Sequence, residues 1–81
     1  MRLDKYLKVS RIIKRRAVAK DAASLGRVKI NGKDAKPAAE VKEGDVLTIL
    51  MGGKQHSYKV LSVREFAAKD QAQEMYEILP E

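Results

Sequence analysis

Apolar positions in the first third of the chain recur at helical spacing. Leu3, Tyr6 and Leu7 stand three and four residues apart, with Lys5 and Lys8 projecting elsewhere, which predicts a short helix over residues 2–8. Asp4 precedes Lys8 by four residues, the favourable order for an acid–base pair on a helix surface. Ser10 is expected to cap a second helix over residues 14–25, with Val18, Ala22 and Leu25 as its apolar stripe. At about 100° per residue, Arg16 and Lys20 then fall on the opposite side, one turn apart. The small residues Ala17, Ala19, Ala22 and Ala23 allow a partner element to approach closely. Gly26 is placed to end the helix in the left-handed conformation.

After Gly26 the period changes to two. Val28 and Ile30 alternate with Arg27, Lys29 and Asn31, and Asn31-Gly32 is a strong hairpin signal because both turn positions take positive φ. The return strand is expected to be ragged and to end at, or be confined to an edge by, Pro37. Glu43-Gly44-Asp45 reads as a turn, residues 46–50 as a strand and Met51-Gly52-Gly53-Lys54 as a loop. Tyr58, Val60 and Ser62 mark one face of the last strand. Ala68, Ala72, Met75 and Leu79 predict a final helix over residues 67–77, which Pro80 should terminate. The order α-α-β-β-β-β-α predicts an α+β fold: two N-terminal helices packed on a small antiparallel or mixed sheet, with a short C-terminal helix. A chain of 81 residues is expected to form one domain.

Charge adds to this picture. The first sixteen residues carry seven basic side chains and one acid, Asp4, interleaved with enough apolar residues to fold. A folded basic face is a rigid phosphate-binding surface, and its expected target is a nucleic acid. The candidate RNA-binding residues are Arg2, Lys5, Lys8, Arg11, Lys14, Arg15, Arg16, Lys20 and Lys29. The run Lys14-Arg15-Arg16 at a helix start opposes the helix dipole, a local cost understandable if a polyanion is the intended neighbour. Residues 1–36 hold twelve Lys/Arg against three Asp/Glu, a net of +9, whereas residues 37–81 hold five against eight, a net of −3. The acidic half is therefore expected to face away from RNA.

Other chemistries find little support. There is no cysteine, so neither a disulfide nor a thiolate metal site is available, and His56 stands without a ligand-like neighbour in sequence. No nucleotide loop or metal constellation is visible, so no enzyme, cofactor or metal is expected. No apolar run approaches a membrane span, which points to the cytoplasm and to no membrane partner. Asp4 reads as a surface partner for Lys8 or a clamp on a neighbouring arginine, Asp45 as turn chemistry, and Tyr6 as a residue at the core edge. Tyr6, Tyr58, Phe66 and Tyr76 are the only aromatic residues and show no paired pattern of single-strand readers, which favours structured RNA recognised by shape and phosphate.

Several elements then occur in order: Arg2-Leu3-Asp4-Lys5-Tyr6-Leu7, Lys14-Arg15-Arg16, Gly26-Arg27-Val28 with Asn31-Gly32, and Val41 with Gly44-Asp45. Together they resemble the RNA-binding domain first described in the fourth protein of the ribosomal small subunit, the alpha-L motif. The motif core would span residues 1 to about 50, and residues 51–81 would form a C-terminal strand and helix extension. Larger relatives attach this domain to RNA-modifying or tRNA-charging enzymes. The free-standing form resembles bacterial ribosome-associated quality-control proteins related to the fifteen-kilodalton heat-shock protein. That resemblance implies binding to stalled large ribosomal subunits carrying peptidyl-tRNA, with large-subunit rRNA, tRNA and the factor that adds C-terminal alanine tails as partners. It places Arg2 and Arg16 at the rRNA and tRNA contact. The alternative it leaves open is a structured-RNA-binding or heat-shock-type recycling factor with no tailing role.

Overall fold

In the computed structural model, which describes residues 1–80, the apolar face of the first helix lies at the centre of the core. Helix α1 (Leu3–Val9) buries Leu3, Tyr6 and Leu7 completely, each worth about 1.5–3 kcal/mol. Tyr6 thus sits deeper than the edge position expected of it. The start of α1 carries no side-chain cap at Arg2. Instead the Leu3 and Asp4 N–H groups donate to the carbonyls of Ala39 and Pro37 at 2.8 and 3.1 Å, and the Lys5 N–H donates to Asp4 Oδ1 at 2.8 Å. These bonds satisfy the donors that a helix start leaves open. They also fix the path of the chain beyond the ragged return strand: the segment around Pro37 crosses over the first turn of α1, and extended Arg2 bridges Glu40.

Ser10 closes α1 rather than opening the second helix. It occupies the C-cap, and its hydroxyl donates to the Leu7 carbonyl at 3.3 Å. Helix α2 (Arg16–Ser24) is preceded instead by Arg15, which makes no capping bond. The apolar stripe expected on α2 is also displaced. Val18 and Leu25 are 48% and 65% exposed, while Ala19 and Ala23 are buried. The buried face is centred about one residue, or about 100°, further round the helix. Small side chains decide this face because they let α2 close on the core. The rotation brings Arg16 to the edge of that face and leaves Lys20 pointing away. As expected, Gly26 (φ 75°) terminates α2, with its N–H and that of Arg27 bonded back to the Ala23 and Ala22 carbonyls.

Among the described residues five antiparallel strands complete the fold, in spatial order β2-β1-β3-β4-β5. Strands β1 (Val28–Ile30) and β2 (Lys33–Asp34) are joined by Asn31-Gly32, both at positive φ as the hairpin requires. Strand β3 (Val46–Met51) pairs with β1 and with β4 (Lys54–Val60). Gly52 and Gly53, at φ 59° and 78°, make a two-residue turn, so β4 begins earlier than Tyr58 and ends at Val60. Val28, Leu47, Ile49 and Val60 line the buried face beneath the helices.

The final helix predicted over residues 67–77 does not form as such. Its register survives for one turn, α3 (Lys69–Ala72), and a 3₁₀ turn at Gln73–Met75. The chain then straightens into β5 (Tyr76–Leu79), which pairs with β4 through Tyr58↔Ile78 and Val60↔Tyr76. The Met75 carbonyl explains the change of direction, since it accepts bonds from the Tyr6 hydroxyl at 2.7 Å and from the Leu61 N–H at 2.8 Å. Ties to α1 and to the end of β4 hold it there, and β4 offers an edge on which residues 76–79 add a strand.

Candidate nucleic-acid interface

The junction of α1 and α2 is organised by one carboxylate. Asp4 is 2% exposed at its side chain. Its Oδ1 accepts from Arg2 Nε at 3.2 Å and its Oδ2 from Arg2 Nη2 at 3.3 Å. Arg16 Nη2 approaches Oδ1 at 3.5 Å from the first turn of α2. Of the two roles the sequence suggested for Asp4, the arginine clamp is the one realised. Burial pushes its carboxyl pKa up, but the Arg2 hydrogen bond, the Arg16 charge, the Lys5 N–H and the Arg2 charge together outweigh burial, and the net shift is below the ordinary carboxylate value. Asp4 is therefore ionised wherever the protein functions near neutral pH.

The two guanidinium groups remain available to a ligand. The side chains of Arg2 and Arg16 are 51% and 47% exposed. A guanidinium has five N–H donors, and Asp4 engages two on Arg2 and one on Arg16. The remaining donors point from a fixed base. This is the arrangement that planar, bidentate recognition of phosphate calls for.

Arg16 also borders an open cleft of about 900 Å³. Lys5, Lys8, Arg11, Lys14 and Arg16 line one wall; Glu65, Phe66, Lys69, Gln73 and Tyr76 line the other. Glu65 forms an ion pair with Lys5, and its carboxyl pKa is lowered mainly by that hydrogen bond. Six basic side chains and one acid thus face the cleft. Arg11 holds its place at a cost. It comes directly after the C-cap of α1, at φ 63°, a conformation in which glycine is favoured.

The sequence candidates divide three ways in space. Lys5, Lys8, Arg11, Lys14 and Arg16 share the cleft, and Arg2 stands beside Arg16 through Asp4. Arg15, just before α2, and Lys20, on it, are exposed but do not line the cleft. Lys29 projects from the open face of the sheet, where it borders a separate shallow depression with Arg27, Thr48 and Gln55. The acidic half does not simply face away, because Glu65 and Lys69 both belong to the cleft's second wall. Sequence reasoning had no local signal for Phe66 or Lys69 as wall residues, since the segment that carries them is placed by Tyr6 and β4. Asn31 also does more than turn the chain: its side chain accepts from the Val46 N–H at 2.9 Å and donates to Asp45 at 3.1 Å. Asp45 itself accepts from the Lys42 N–H at 2.8 Å, the turn chemistry expected of it.

Among the described residues no group of three or more His, Cys, Asp or Glu could hold a metal ion. Among the described residues no helix is long and apolar enough to cross a membrane.

Known proteins resemble this chain in sequence and in fold. The model of the S4 domain family matches residues 1–47. A protein of Listeria innocua called RQC P-site tRNA stabilizing factor is 57% identical over all 81 residues, which correspond to 88% of its length. Its namesake in Bacillus subtilis is 49% identical over the same 81 residues, 94% of its length. Among solved structures, a trimeric structure of Vibrio cholerae Heat Shock Protein 15 superposes with a TM-score of 0.89 at 29% identity, covering 98% of this chain and 81% of that one.

Proposed function

The chain belongs to the S4 domain family and, within it, to the RQC P-site tRNA stabilizing factors; from that membership we propose that it is an RNA-binding factor of ribosome quality control that acts by position rather than by catalysis. It docks on stalled large ribosomal subunits that still carry peptidyl-tRNA and holds the tRNA while partner factors extend the nascent chain with alanine. Large-subunit rRNA and tRNA are its ligands, the alanine-tailing factor is its protein partner, and its place of action is the ribosome in the cytoplasm. Residues 1–81 act as one RNA-binding unit.

The observation that carries this reading is the buried Asp4 carboxylate, which fixes Arg2 and Arg16 side by side and half exposed at the mouth of a basic cleft. Arg2 and Arg16 take the central contacts in this reading. Lys5, Lys8, Arg11 and Lys14 hold flanking phosphates along the cleft, and Arg15, Lys20 and Lys29 add field rather than contacts. If four to six cations neutralise phosphates, the slope of log affinity against log salt is about −3 to −5.

The test is affinity for isolated large subunits, with and without P-site tRNA, across salt at fixed magnesium. The proposal expects a steep slope and tighter binding when tRNA is present. A flat slope, or indifference to tRNA, would overturn it. The structural likeness to Heat Shock Protein 15 favours a second reading, recycling of stalled subunits with no tailing role. Loss of alanine tails from stalled chains in a deletion strain supports the first reading, and their persistence supports the second.

A further inference from the structure

Phe66 is 82% exposed, the most exposed of the large apolar side chains among the described residues. A solitary exposed apolar residue is ordinary on a protein surface. This one stands in a particular place. It lines the cleft whose opposite wall carries Lys8, Arg11 and Lys14. Its own segment is held down on both sides: Ala67 is buried immediately after it, and Glu65 before it is tied to Lys5. Tyr76 is the other aromatic residue of the cleft, but it is half-buried and engaged edge-on with Tyr58 at 5.4 Å between ring centres. Phe66 is therefore the cleft's aromatic residue with its ring open to solvent.

We propose that Phe66 is a stacking platform for an unpaired nucleobase, with the basic wall of α1 holding the phosphates that flank it. The inference rests on the RNA-binding reading above and adds to it a mode of contact that phosphate binding alone does not provide. An apolar ring facing a wall of cations fits a ligand that alternates flat apolar bases with negative charge. The excess of six basic side chains over one acid selects a polyanion over an apolar protein surface as the occupant. Base–aromatic stacking tolerates any base, because each has a π-face. The site would thus anchor an extruded nucleotide of structured RNA without reading its identity.

The experiment compares Phe66→Ala, Phe66→Leu and Phe66→Trp in binding to isolated large ribosomal subunits across salt. The residue is exposed, so all three variants are expected to fold. Phe66→Ala should bind about tenfold more weakly, with an unchanged salt slope because no charge is removed. Phe66→Leu should be equally impaired, since it keeps apolar bulk but loses the aromatic plane. Phe66→Trp should bind normally, and its indole, alone in a chain with no other tryptophan, should be quenched on binding. Wild-type affinity in Phe66→Ala, or an unquenched indole in the bound Trp variant, would overturn the proposal. Full binding by Phe66→Leu would also overturn it and identify a generic apolar contact with a protein. If the wild-type protein itself binds with a flat salt slope, the RNA-binding reading falls, and the stacking site with it. A steep wild-type slope with indifferent Phe66 variants removes only the stacking site.

Discussion

Two regions of this molecule bring basic side chains together, and only one of them orients its cations. At the α1–α2 junction a buried carboxylate grips two arginines from different elements. On the open face of the sheet, Arg27 and Lys29 border a shallow depression, and among the described residues neither is paired with an acid. Both regions attract a polyanion. A mobile, hydrated cation contributes to the field, whereas a guanidinium held from behind keeps a set of donors in one direction without ordering them anew on binding. On the proposed reading, the density of positive charge marks the side of the protein that meets RNA, and the buried acid marks the site.

The largest effects should separate these two regions. Arg16→Ala and Arg2→Ala are each expected to weaken binding to large subunits by about 1–3 kcal/mol, the range for hydrogen bonds to charged groups. Each should also flatten the salt slope by about one unit if the lost side chain touches phosphate. Parallel titrations of the single variants at several salt concentrations check both. Equal losses for Arg16→Ala and Lys29→Ala would erase the contrast.

Arg11 sharpens it from another side. Replacing it by glycine relieves a left-handed conformation at an arginine, so Arg11→Gly should stabilise the fold by about 0.5–1 kcal/mol. The same change removes a cation from the cleft and should weaken RNA binding. Denaturant unfolding and subunit binding of one variant should therefore move in opposite directions. A variant that is both less stable and fully active would show that the backbone at this position is set by something other than the demand for an arginine.

Asp4 also makes stability depend on pH. Its pKa is lower in the folded protein than in the unfolded chain. The stability it contributes is therefore complete above the unfolded value of about 3.9 and is lost as pH falls through the folded value. The stability difference between the wild type and Asp4→Asn should be constant near neutrality and narrow below about pH 4, as thermal melts across pH will read. The smallest effect belongs to the sheet face: Lys29→Ala and Arg27→Ala should each change affinity by no more than about 0.5 kcal/mol, as expected of surface substitutions outside a site.

The same contrast governs what the sequence made legible. Gly26, Asn31-Gly32 and Glu43-Gly44-Asp45 were readable because their chemistry is local: positive φ and turn hydrogen bonds depend on neighbours in the chain. The face of α2 was not, because Val18 and Leu25 outweigh alanine in any count of hydrophobicity, yet close approach of the helix required Ala19 and Ala23. The fifth strand was not legible either. Ala68, Ala72, Met75 and Leu79 satisfy a helical period, and only the distant β4 edge and the Tyr6 hydroxyl give residues 76–79 a reason to extend. At the site, the basic candidates were visible as composition. Their sorting into held, cleft-lining and outlying groups depended on contacts between Arg2, Asp4 and Arg16 that sequence spacing alone did not settle.

The central claim is that Asp4 serves RNA binding by holding Arg2 and Arg16, although it is itself a negative charge at a surface meant for a polyanion. Asp4→Asn tests it most directly, with Asp21→Asn as control, since Asp21 is exposed on α2 and its loss changes net charge equally. The measurement is affinity for isolated large subunits at one moderate salt concentration, with folding of both variants confirmed by thermal melts. The account predicts that Asp4→Asn binds more weakly, by about 1 kcal/mol or more, while Asp21→Asn binds as well as the wild type or slightly better. Equal or tighter binding by a folded Asp4→Asn would mean that charge count alone governs the interaction and would contradict the account.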